Sequence, residues 1–436
     1  MSGFVFERGV VVTAGKKPRA GNLGVLGENI ISAKSGGGTI LDLKEKSYVY
    51  PSLINTHDHL QGNYRPAIGP KEGTFYLTWQ PWDNDLKASA TFAERSKLTR
   101  EELYLLSSYK CIFSGVTTVN DHFPQAINGH ILPTLPIRAI LEYGLAHEAT
   151  SYDLKWGDGV VAEHKKAVKN KWPFITHLCE GFDEEAMHGL DTLEKLGVLD
   201  SHCLLVHCIA MSDEDIVKVA KAGASVSLCP TSNMLMFNVT AKIRKMIKAG
   251  LNLTLGTDSS ASGSANLFEE IRNLRKLYRN MYSEDLEPKK IFEMVTINAA
   301  KAFWMQDKIG SLEEGKLADI MVLKAGKDDP YENLACASME DIELLVLAGK
   351  PIYGEMRFID LFSDSKIPEG YTEIAVGKRP MFVIGDPAAL YREIRRRTGF
   401  NKVLDFLPFE PSEQVQAKTP IKATAKKPAK PRKEST

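Results

Sequence analysis

Two histidines separated by one residue follow an apolar run, at residues 50–54, near the start of the chain. They are His57 and His59, with Asp58 between them. In an extended strand, side chains two residues apart point the same way, so both imidazoles can face one cation from a single strand end. A short His-x-His motif also occurs in surface loops, so the pair predicts a metal site only if other parts of the chain supply further ligands.

A histidine and a glutamate follow a second strand-like run. His177 stands in the segment 174–179, and Glu180 comes just after it. Residues three apart on a strand face opposite ways, so Glu180 reaches a cation bound by His177 only if the chain turns immediately after Leu178. Without such a turn, Glu180 is an ordinary solvated loop acid.

Two more polar residues end apolar strands. His207 closes the run 204–208, and Asp258 takes the inward terminal position of an alternating run, 251–258. A buried carboxylate is costly without a partner, and a cation would be such a partner for Asp258. Taken singly, His207 could be a satisfied core histidine, and Asp258 could cap a helix beginning near Asn266 or bind loop amides. Together with the other residues they predict one site.

An alternating series of strands and helices between residues 51 and 307 positions these side chains. Such alternation predicts a parallel sheet with crossover helices. Seven strands are predicted, one fewer than a closed (β/α)8 barrel of the TIM type contains. The deficit lies between residues 145 and 174, where either a very short strand lies near 146–152 or the barrel is degenerate at its fourth strand. The predicted strands are 53–59, 116–122, 137–145, 174–179, 203–209, 225–229 and 251–258.

The two ends of the chain are rich in short strand patterns. We expect residues 1–50 and 308–360 to pair in a small composite β-sandwich domain, because short strands at both ends bury their faces only by meeting. Residues 361–416 form a C-terminal extension with one helix, which Asp386 can cap and Gly399 can end. The tail, residues 417–436, is basic and poor in apolar residues, so we expect disorder there.

Composition favours a small-molecule partner. The chain has 436 residues, with 55 basic and 55 acidic side chains, so no net charge attracts nucleic acid or acidic lipid. Six cysteines without a CxxC pair indicate buried free thiols in a reducing compartment. No signal peptide or membrane-length apolar run is present. We therefore expect a cytoplasmic protein without specific nucleic-acid or membrane partners; whether it forms a homo-oligomer is left open.

These motifs, taken in order, resemble the amidohydrolase superfamily. The resemblance includes the segments at 51–59, 177–180, 207–208, 229–233, 256–258 and 309–319, and covers residues 1–355. The branch it most resembles contains cytosine, guanine and adenosine-derivative deaminases and chlorohydrolases. Residues 361–436 have no counterpart in the resemblance.

The resemblance implies one divalent metal ion, zinc or iron, at this site. Its ligands would be His57, His59, His177 and Asp258. Asp258 would also accept a proton from the attacking water, His207 would hydrogen-bond that water or the developing oxyanion, and Glu180 would carry the proton to the leaving nitrogen. No lysine stands where binuclear relatives place a bridging one, which favours a mononuclear site.

Two departures from the family pattern concern substrate contacts. The fourth-strand motif of adenosine-derivative deaminases has no clear counterpart except His147, and Leu228 stands where many relatives have histidine. Both departures weigh against adenosine derivatives while leaving hydrolysis untouched. His122 either lines the pocket or has a packing or hydrogen-bonding role. Trp79, together with Trp82 in the same segment, either stacks a planar heterocycle or packs against the rim.

The leading hypothesis is a metal-dependent hydrolase of a non-peptide C–N bond in a small nitrogen heterocycle, most simply an aminohydrolase that releases ammonia. The same site could instead displace chloride or open a cyclic amide. A third hypothesis is a non-catalytic metal-binding scaffold. Glu180 and His207 argue against the scaffold, because a structural ion needs neither.

Overall fold

A computed structural model describes residues 3–33 and 38–411. The predicted disordered tail, 417–436, and the last residues of the predicted extension lie outside this range. The described chain has a mixed α/β fold that contains two parallel sheets and one larger, mainly antiparallel sheet. No helix in it is long and apolar enough to cross a membrane.

The described strands are numbered in chain order. They are β1 Phe4–Val11, β2 Arg19–Leu26, β3 Asn29–Ile31, β4 Thr39–Asp42, β5 Ser47–Pro51, β6 Leu53–Asp58, β7 Val116–Asp121, β8 Arg138–Ala139, β9 Gly144–Leu145, β10 Phe174–Leu178, β11 Cys203–His207, β12 Ser225–Leu228, β13 Asn252–Leu255, β14 Ile320–Lys324, β15 Ile342–Leu347, β16 Lys350–Glu355, β17 Tyr371–Val376 and β18 Arg379–Ile384.

The described α-helices are numbered in the same way. They are α1 Trp79–Ala88, α2 Ala90–Arg95, α3 Arg100–Ile112, α4 Gln125–Asn128, α5 Val160–Asn170, α6 Glu184–Met187, α7 Gly189–Leu196, α8 Asp213–Ala222, α9 Pro230–Phe237, α10 Ile243–Lys248, α11 Leu267–Tyr282, α12 Pro288–Met294, α13 Ile297–Ala302, α14 Pro330–Cys336 and α15 Pro387–Thr398.

The parallel strands form two sheets, β6-β7-β8 and β9 to β13 in chain order. The prediction of a single strand at 137–145 is wrong in detail, because that segment contains two strands of two residues each. The reason is that the segment changes neighbours: β8 pairs with β7, whereas β9 pairs with β10. The structure has no strand at 146–152, so that alternative is wrong; the fourth parallel strand is β9, which ends at Leu145.

The ends of β6 and β13 lie side by side. The Asp258 amide donates a hydrogen bond to the His57 carbonyl oxygen at 3.0 Å. At Gly256 a Cβ atom would lie 2.7 Å from the Cβ of His57, closer than real Cβ atoms approach. Glycine is therefore needed before Thr257 and Asp258 so that this segment can reach the histidine pair.

The ten-stranded sheet joins both parts of the chain. Its β5 pairs antiparallel with β14, so strands from the two ends of the chain lie in one sheet. The sheet also contains β17 and β18, although only one helix was predicted after residue 361. The alternating residues on either side of Gly377 are the signal for this hairpin. The predicted helix is α15, where Asp386 accepts a hydrogen bond from the Ala389 amide and Gly399 adopts φ +81°.

Candidate metal centre

Five of the predicted site residues come together at the ends of four parallel strands. His57 lies in β6 and His59 just after it, His177 lies in β10, His207 ends β11, and Asp258 follows β13. Ligand atoms of His57, His177 and His207 lie within 4.8 Å of one another. The same is true of His57, His59 and Asp258. We call these five residues the ligand cluster.

Three of the four imidazoles in the ligand cluster are oriented by a hydrogen bond at Nδ1. An imidazole that donates from Nδ1 to an oxygen leaves Nε2 unprotonated, which is the form that binds metal ions. The three bonds are His59 Nδ1 to the His122 carbonyl oxygen (2.8 Å), His177 Nδ1 to the His147 carbonyl oxygen (2.9 Å) and His207 Nδ1 to Asn233 Oδ1 (2.8 Å).

His57 is the exception, and it shows what the site lacks. Both of its ring nitrogens are buried without a hydrogen-bond partner among the described residues. Buried polar atoms are rarely left in this state, since an unpaired one costs free energy. Burial also lowers the pKa of His57 and of His177, so both are neutral. A divalent cation fits this donor set, because it would be the missing partner of His57.

Asp258 is held rigidly at the edge of the ligand cluster. Its Oδ2 accepts hydrogen bonds from the hydroxyls of Ser232 at 2.7 Å and Ser262 at 2.8 Å. Its Oδ1 accepts one from the Ser259 amide at 2.6 Å. Asp258 therefore binds a loop amide, as one alternative proposed, but it caps no helix: Asn266 caps α11.

The charge of Asp258 is favoured by the histidines it faces. Its Oδ1 lies 3.7 Å from His59 Nε2 and 4.0 Å from His57 Nε2. Burial alone would raise the pKa of Asp258, but the nearby His59 and His207 and the serine hydrogen bonds outweigh it and hold the pKa below its ordinary value. An ionised carboxylate beside imidazoles is a typical ligand set for a divalent cation.

Glu180 reaches the ligand cluster because the chain turns where the sequence required. The strand β10 ends at Leu178, and Cys179 adopts φ +50°. Glu180 Oε1 then lies 3.4 Å from His207 Nε2. Burial, reinforced by the Asp258 carboxylate, raises the pKa of Glu180 well above its ordinary value. Glu180 is therefore a carboxylic acid that can hold and give up a proton at neutral pH.

Left-handed backbone conformations concentrate at these strand ends. Besides Cys179, non-glycine residues with positive φ include His207 at +68°, Cys208 at +54° and Asp258 at +55°. Such conformations cost free energy and persist where the surrounding structure fixes them, often at functional sites. Here they turn polar side chains from three strands towards one point.

A buried lysine, which was not predicted, lies behind the histidine pair. Lys110 Nζ is 2.9 Å from Asp58 Oδ2, and it donates hydrogen bonds to Asn63 Oδ1 at 2.7 Å and Thr257 Oγ1 at 3.2 Å. A further hydrogen bond goes to the backbone carbonyl oxygen of Asp258 at 3.3 Å. Lys110 thus joins the loop of the histidine pair to the loop of Asp258.

A cavity of about 560 Å³ opens beside the ligand cluster. Its lining includes His59, His147, Trp79 and Trp82, so three residues predicted as substrate contacts or possible contacts border it. Trp79 Nε1 donates to Glu148 Oε1 at 2.6 Å, which fixes one of the two tryptophan rings.

His122 and Trp156 lie beside each other near this cavity. His122 is not among the lining residues; it is buried with its ring centroid 4.6 Å from that of His177, and its Nε2 donates to the Ala146 carbonyl oxygen. The structure therefore favours the packing role for His122. Trp156, which was not predicted, does line the cavity, with its ring centroid 4.7 Å from that of His147. It lies in the segment where no regular pattern was visible.

Known proteins share both the sequence pattern and the fold. The profile of the family described as "Amidohydrolase family" matches residues 160–352. A 5-methylthioadenosine/S-adenosylhomocysteine deaminase from Pyrococcus abyssi is 26% identical, over 85% of this chain and 99% of that protein.

Two solved structures share the fold. An adenosine deaminase from Xanthomonas campestris with bound zinc has a TM-score of 0.69 at 18% identity, covering 91% of this chain and 98% of that one. A triazine hydrolase from Arthrobacter aurescens has a TM-score of 0.65 at 20% identity, covering 81% of this chain and 95% of that one. With the sequence matches, these findings confirm the resemblance predicted from the motifs.

Proposed function

We propose that the chain is a member of the amidohydrolase superfamily and a metal-dependent aminohydrolase that releases ammonia from a small nitrogen heterocycle. The observation that carries the proposal is a protonatable buried acid, Glu180, at the edge of a histidine cluster in which both ring nitrogens of His57 are buried without a hydrogen-bond partner. A purely structural ion would need no such acid. The neighbouring 560 Å³ cavity has the volume of a small-molecule site.

The proposed ligands are His57, His59, His177 and Asp258, with His207 close enough to complete the shell or to face substrate. A single divalent cation held there, zinc first and iron second, would lower the pKa of a water molecule and supply the nucleophile. Asp258 is ionised and is held by three hydrogen bonds, so it can accept a proton from that water.

Proton delivery is assigned to Glu180, and a hydrogen bond to the attacking water to His207. Glu180 is protonated before the reaction, because burial raises its pKa. It can therefore donate to the nitrogen that leaves as ammonia. Asn233 orients His207 so that Nε2 points into the cluster, 3.4 Å from Glu180. There Nε2, which carries no proton when Nδ1 donates, can accept a hydrogen bond from the attacking water.

We also infer that the eight parallel strands form one barrel spanning residues 51–307. The hydrogen bond between the ends of β13 and β6 supports closure. The flanking strands, residues 1–50 and 308–360, would form the second domain. An apolar cluster of their own supports this division: it contains residues such as Phe6, Val49 and Ile320 and is separate from the apolar clusters of the barrel.

The test is ammonia release from a panel of aminated heterocycles by zinc-loaded protein. The panel contains pyrimidines, purines, pterins, triazines and adenosine derivatives, the last included because of the printed name of the Pyrococcus relative. Chloride and ring-opened products are measured in parallel. If no compound of the panel released ammonia, deamination would be contradicted. Release of chloride or a ring-opened product would indicate one of the alternative hydrolases.

The variant Glu180→Gln tests the assigned acid. We expect kcat to fall by about 100-fold or more, the usual effect of losing a general acid, with zinc content unchanged. The matched control is Glu185→Gln, an exposed acid five positions along the chain that bonds Ser151 instead of the cluster. Full activity in the Glu180 variant would remove Glu180 from the mechanism.

A further inference from the structure

The cavity beside the ligand cluster carries an excess of positive charge. Three cationic side chains line it, Lys87, Arg95 and Arg100, against one carboxylate, Asp83. Asp83 is already paired with Lys87 at 2.5 Å. The protein as a whole has no net charge, so the excess belongs to this cavity and does not reflect a generally basic surface.

The side chain of Arg95 is half-buried, and it makes no hydrogen bond or ion pair within the described part of the chain. The Arg100 side chain also has no such partner there, but it is exposed. The Arg95 guanidinium lies over the Phe92 ring, 4.7 Å from the centroid. Burial lowers the pKa of Arg95, yet a guanidinium stays charged at neutral pH. Other partly buried arginines of this chain do have carboxylates: Arg397 pairs with Glu102 at 2.7 Å.

The two acids near Arg95 are each paired with a lysine. Asp83, whose charge acts on Arg95, pairs with Lys87. Glu94, next to Arg95 in sequence, is held by the buried Lys402 at 2.5 Å. That same ion pair fixes α2, which ends at Arg95. The guanidinium is thus held on an aromatic ring by a fixed helix and keeps its donors available, as an anion site requires.

We propose that Arg95 binds an oxyanion, a carboxylate or a phosphate, on the substrate, so that the enzyme selects aminated heterocycles that carry such a group. This inference rests on the proposed function, since the heterocycle would occupy the cavity with its amino group at the ligand cluster. Trp79 and Trp156 line the same cavity and can pack on the planar ring. Arg100 and Lys87 add to the positive potential.

Calorimetric binding to zinc-loaded Glu180→Gln protein tests the site without turnover. The probes are adenosine, cytidine and guanosine, each with its 5′-monophosphate, and S-adenosylhomocysteine as the carboxylate member. We expect at least one anionic member to bind about tenfold more tightly than its neutral counterpart, a typical value for a charge-assisted contact. A preference for the monophosphates or for S-adenosylhomocysteine identifies the oxyanion as phosphate or carboxylate.

Arg95 variants in the same background assign the effect. We expect Arg95→Met to abolish the preference for the anion and Arg95→Lys to retain part of it, while both leave binding of the neutral members within twofold. The control is Arg244→Met: Arg244 also lies over an aromatic ring, that of Tyr282 at 4.5 Å, but is not among the residues that line the cavity.

Three results would overturn the anion site: equal binding of neutral and anionic members, no binding by any anionic member, or equal weakening of both by Arg95→Met. A different result would contradict the proposed deamination. If the anionic members bind through Arg95 but wild-type protein releases no ammonia from any heterocycle, the anion site stands and the deaminase assignment falls.

Discussion

The ligand cluster and the wall of the neighbouring cavity are built in different ways. The cluster residues stand at the ends of regular parallel strands, each within a few positions of an apolar run. The cavity wall comes largely from α1, α2 and the chain around them, between β6 and β7. Strand periodicity therefore sets the position of the chemistry, whereas contacts between distant parts of the chain set the shape of the cavity.

The C-terminal extension provides many of those contacts. Lys402 pairs with Glu94 of α2 at 2.5 Å, and Arg397 pairs with Glu102 of α3 at 2.7 Å. Asp405 pairs with Arg65, in the loop after the histidine pair, at 2.8 Å. The C-terminal extension, in which no motif of the resemblance lies, thus holds the cavity wall.

Replacing a cluster ligand has the largest expected effect. In His57→Ala the buried nitrogens are lost, so we expect bound zinc to fall to near zero and ammonia release to fall by about 1000-fold or more. Elemental analysis and an activity assay measure both. His188→Ala, an exposed histidine that pairs with Asp191, is the control. Normal zinc content in the His57 variant would exclude it as a ligand.

The second largest effect is expected from replacing Lys110, the lysine behind the histidine pair. Lys110→Met leaves Asp58 buried and unpaired, so we expect a loss of about 3–5 kcal/mol in the free energy of unfolding, with weaker zinc retention in chelator competition. The double variant Asp58→Asn/Lys110→Met removes both charges and should recover most of the stability. If the double variant were no more stable than the single one, the ion pair would not be the cause.

Glu270, the buried acid on α11, makes the free energy of unfolding depend on pH. Burial raises the pKa of Glu270 to about 7, and its Oε1 accepts a hydrogen bond from the Thr231 amide. The folded state then holds a proton that the unfolded state releases from about pH 4.5 upward. The free energy of unfolding therefore falls by up to about 3 kcal/mol as the pH rises through 7.

The variant Glu270→Gln should remove this loss, because glutamine resembles the protonated acid. Urea unfolding should show equal stabilities for variant and wild type near pH 4.5 and a more stable variant at pH 8. Parallel stability curves over this range would mean that Glu270 does not titrate as described.

Loosening the cavity wall should have the smallest effect. Lys402→Met frees α2, so we expect KM to rise by about tenfold with kcat within about twofold, as when substrate and transition state lose the same binding energy. Lys378→Met, in the turn between β17 and β18, is the control. A fall in kcat without a change in KM would show that the wall also positions the cluster.

The ligand cluster could be predicted because its signals are local. Alternation places His57 with His59 and directs Asp258 inward, and each residue follows a recognisable apolar strand. The turn that brings in Glu180 was stated as a condition, and Cys179 meets it. The roles of these residues remain proposals.

The missed features depend on long-range contacts. Lys110 lies in α3 next to Tyr109 and Cys111, where a lysine usually faces solvent, and only the packing of α3 behind β6 buries it. Arg95 gives no sequence signal, since its importance comes from the partners it lacks. The strands β8 and β9 are too short for periodicity to separate them.

The ion pair between Lys402 and Glu94 joins residues 308 positions apart. Glu94 is translated long before Lys402, and domains tend to fold as they emerge from the ribosome. A nascent chain that includes Asp258 but not yet Lys402 already contains every residue of the ligand cluster, while the helix bearing Arg95 still lacks its ion-pair partner. Selectivity for the substrate would thus be the last property that this enzyme acquires during its own synthesis.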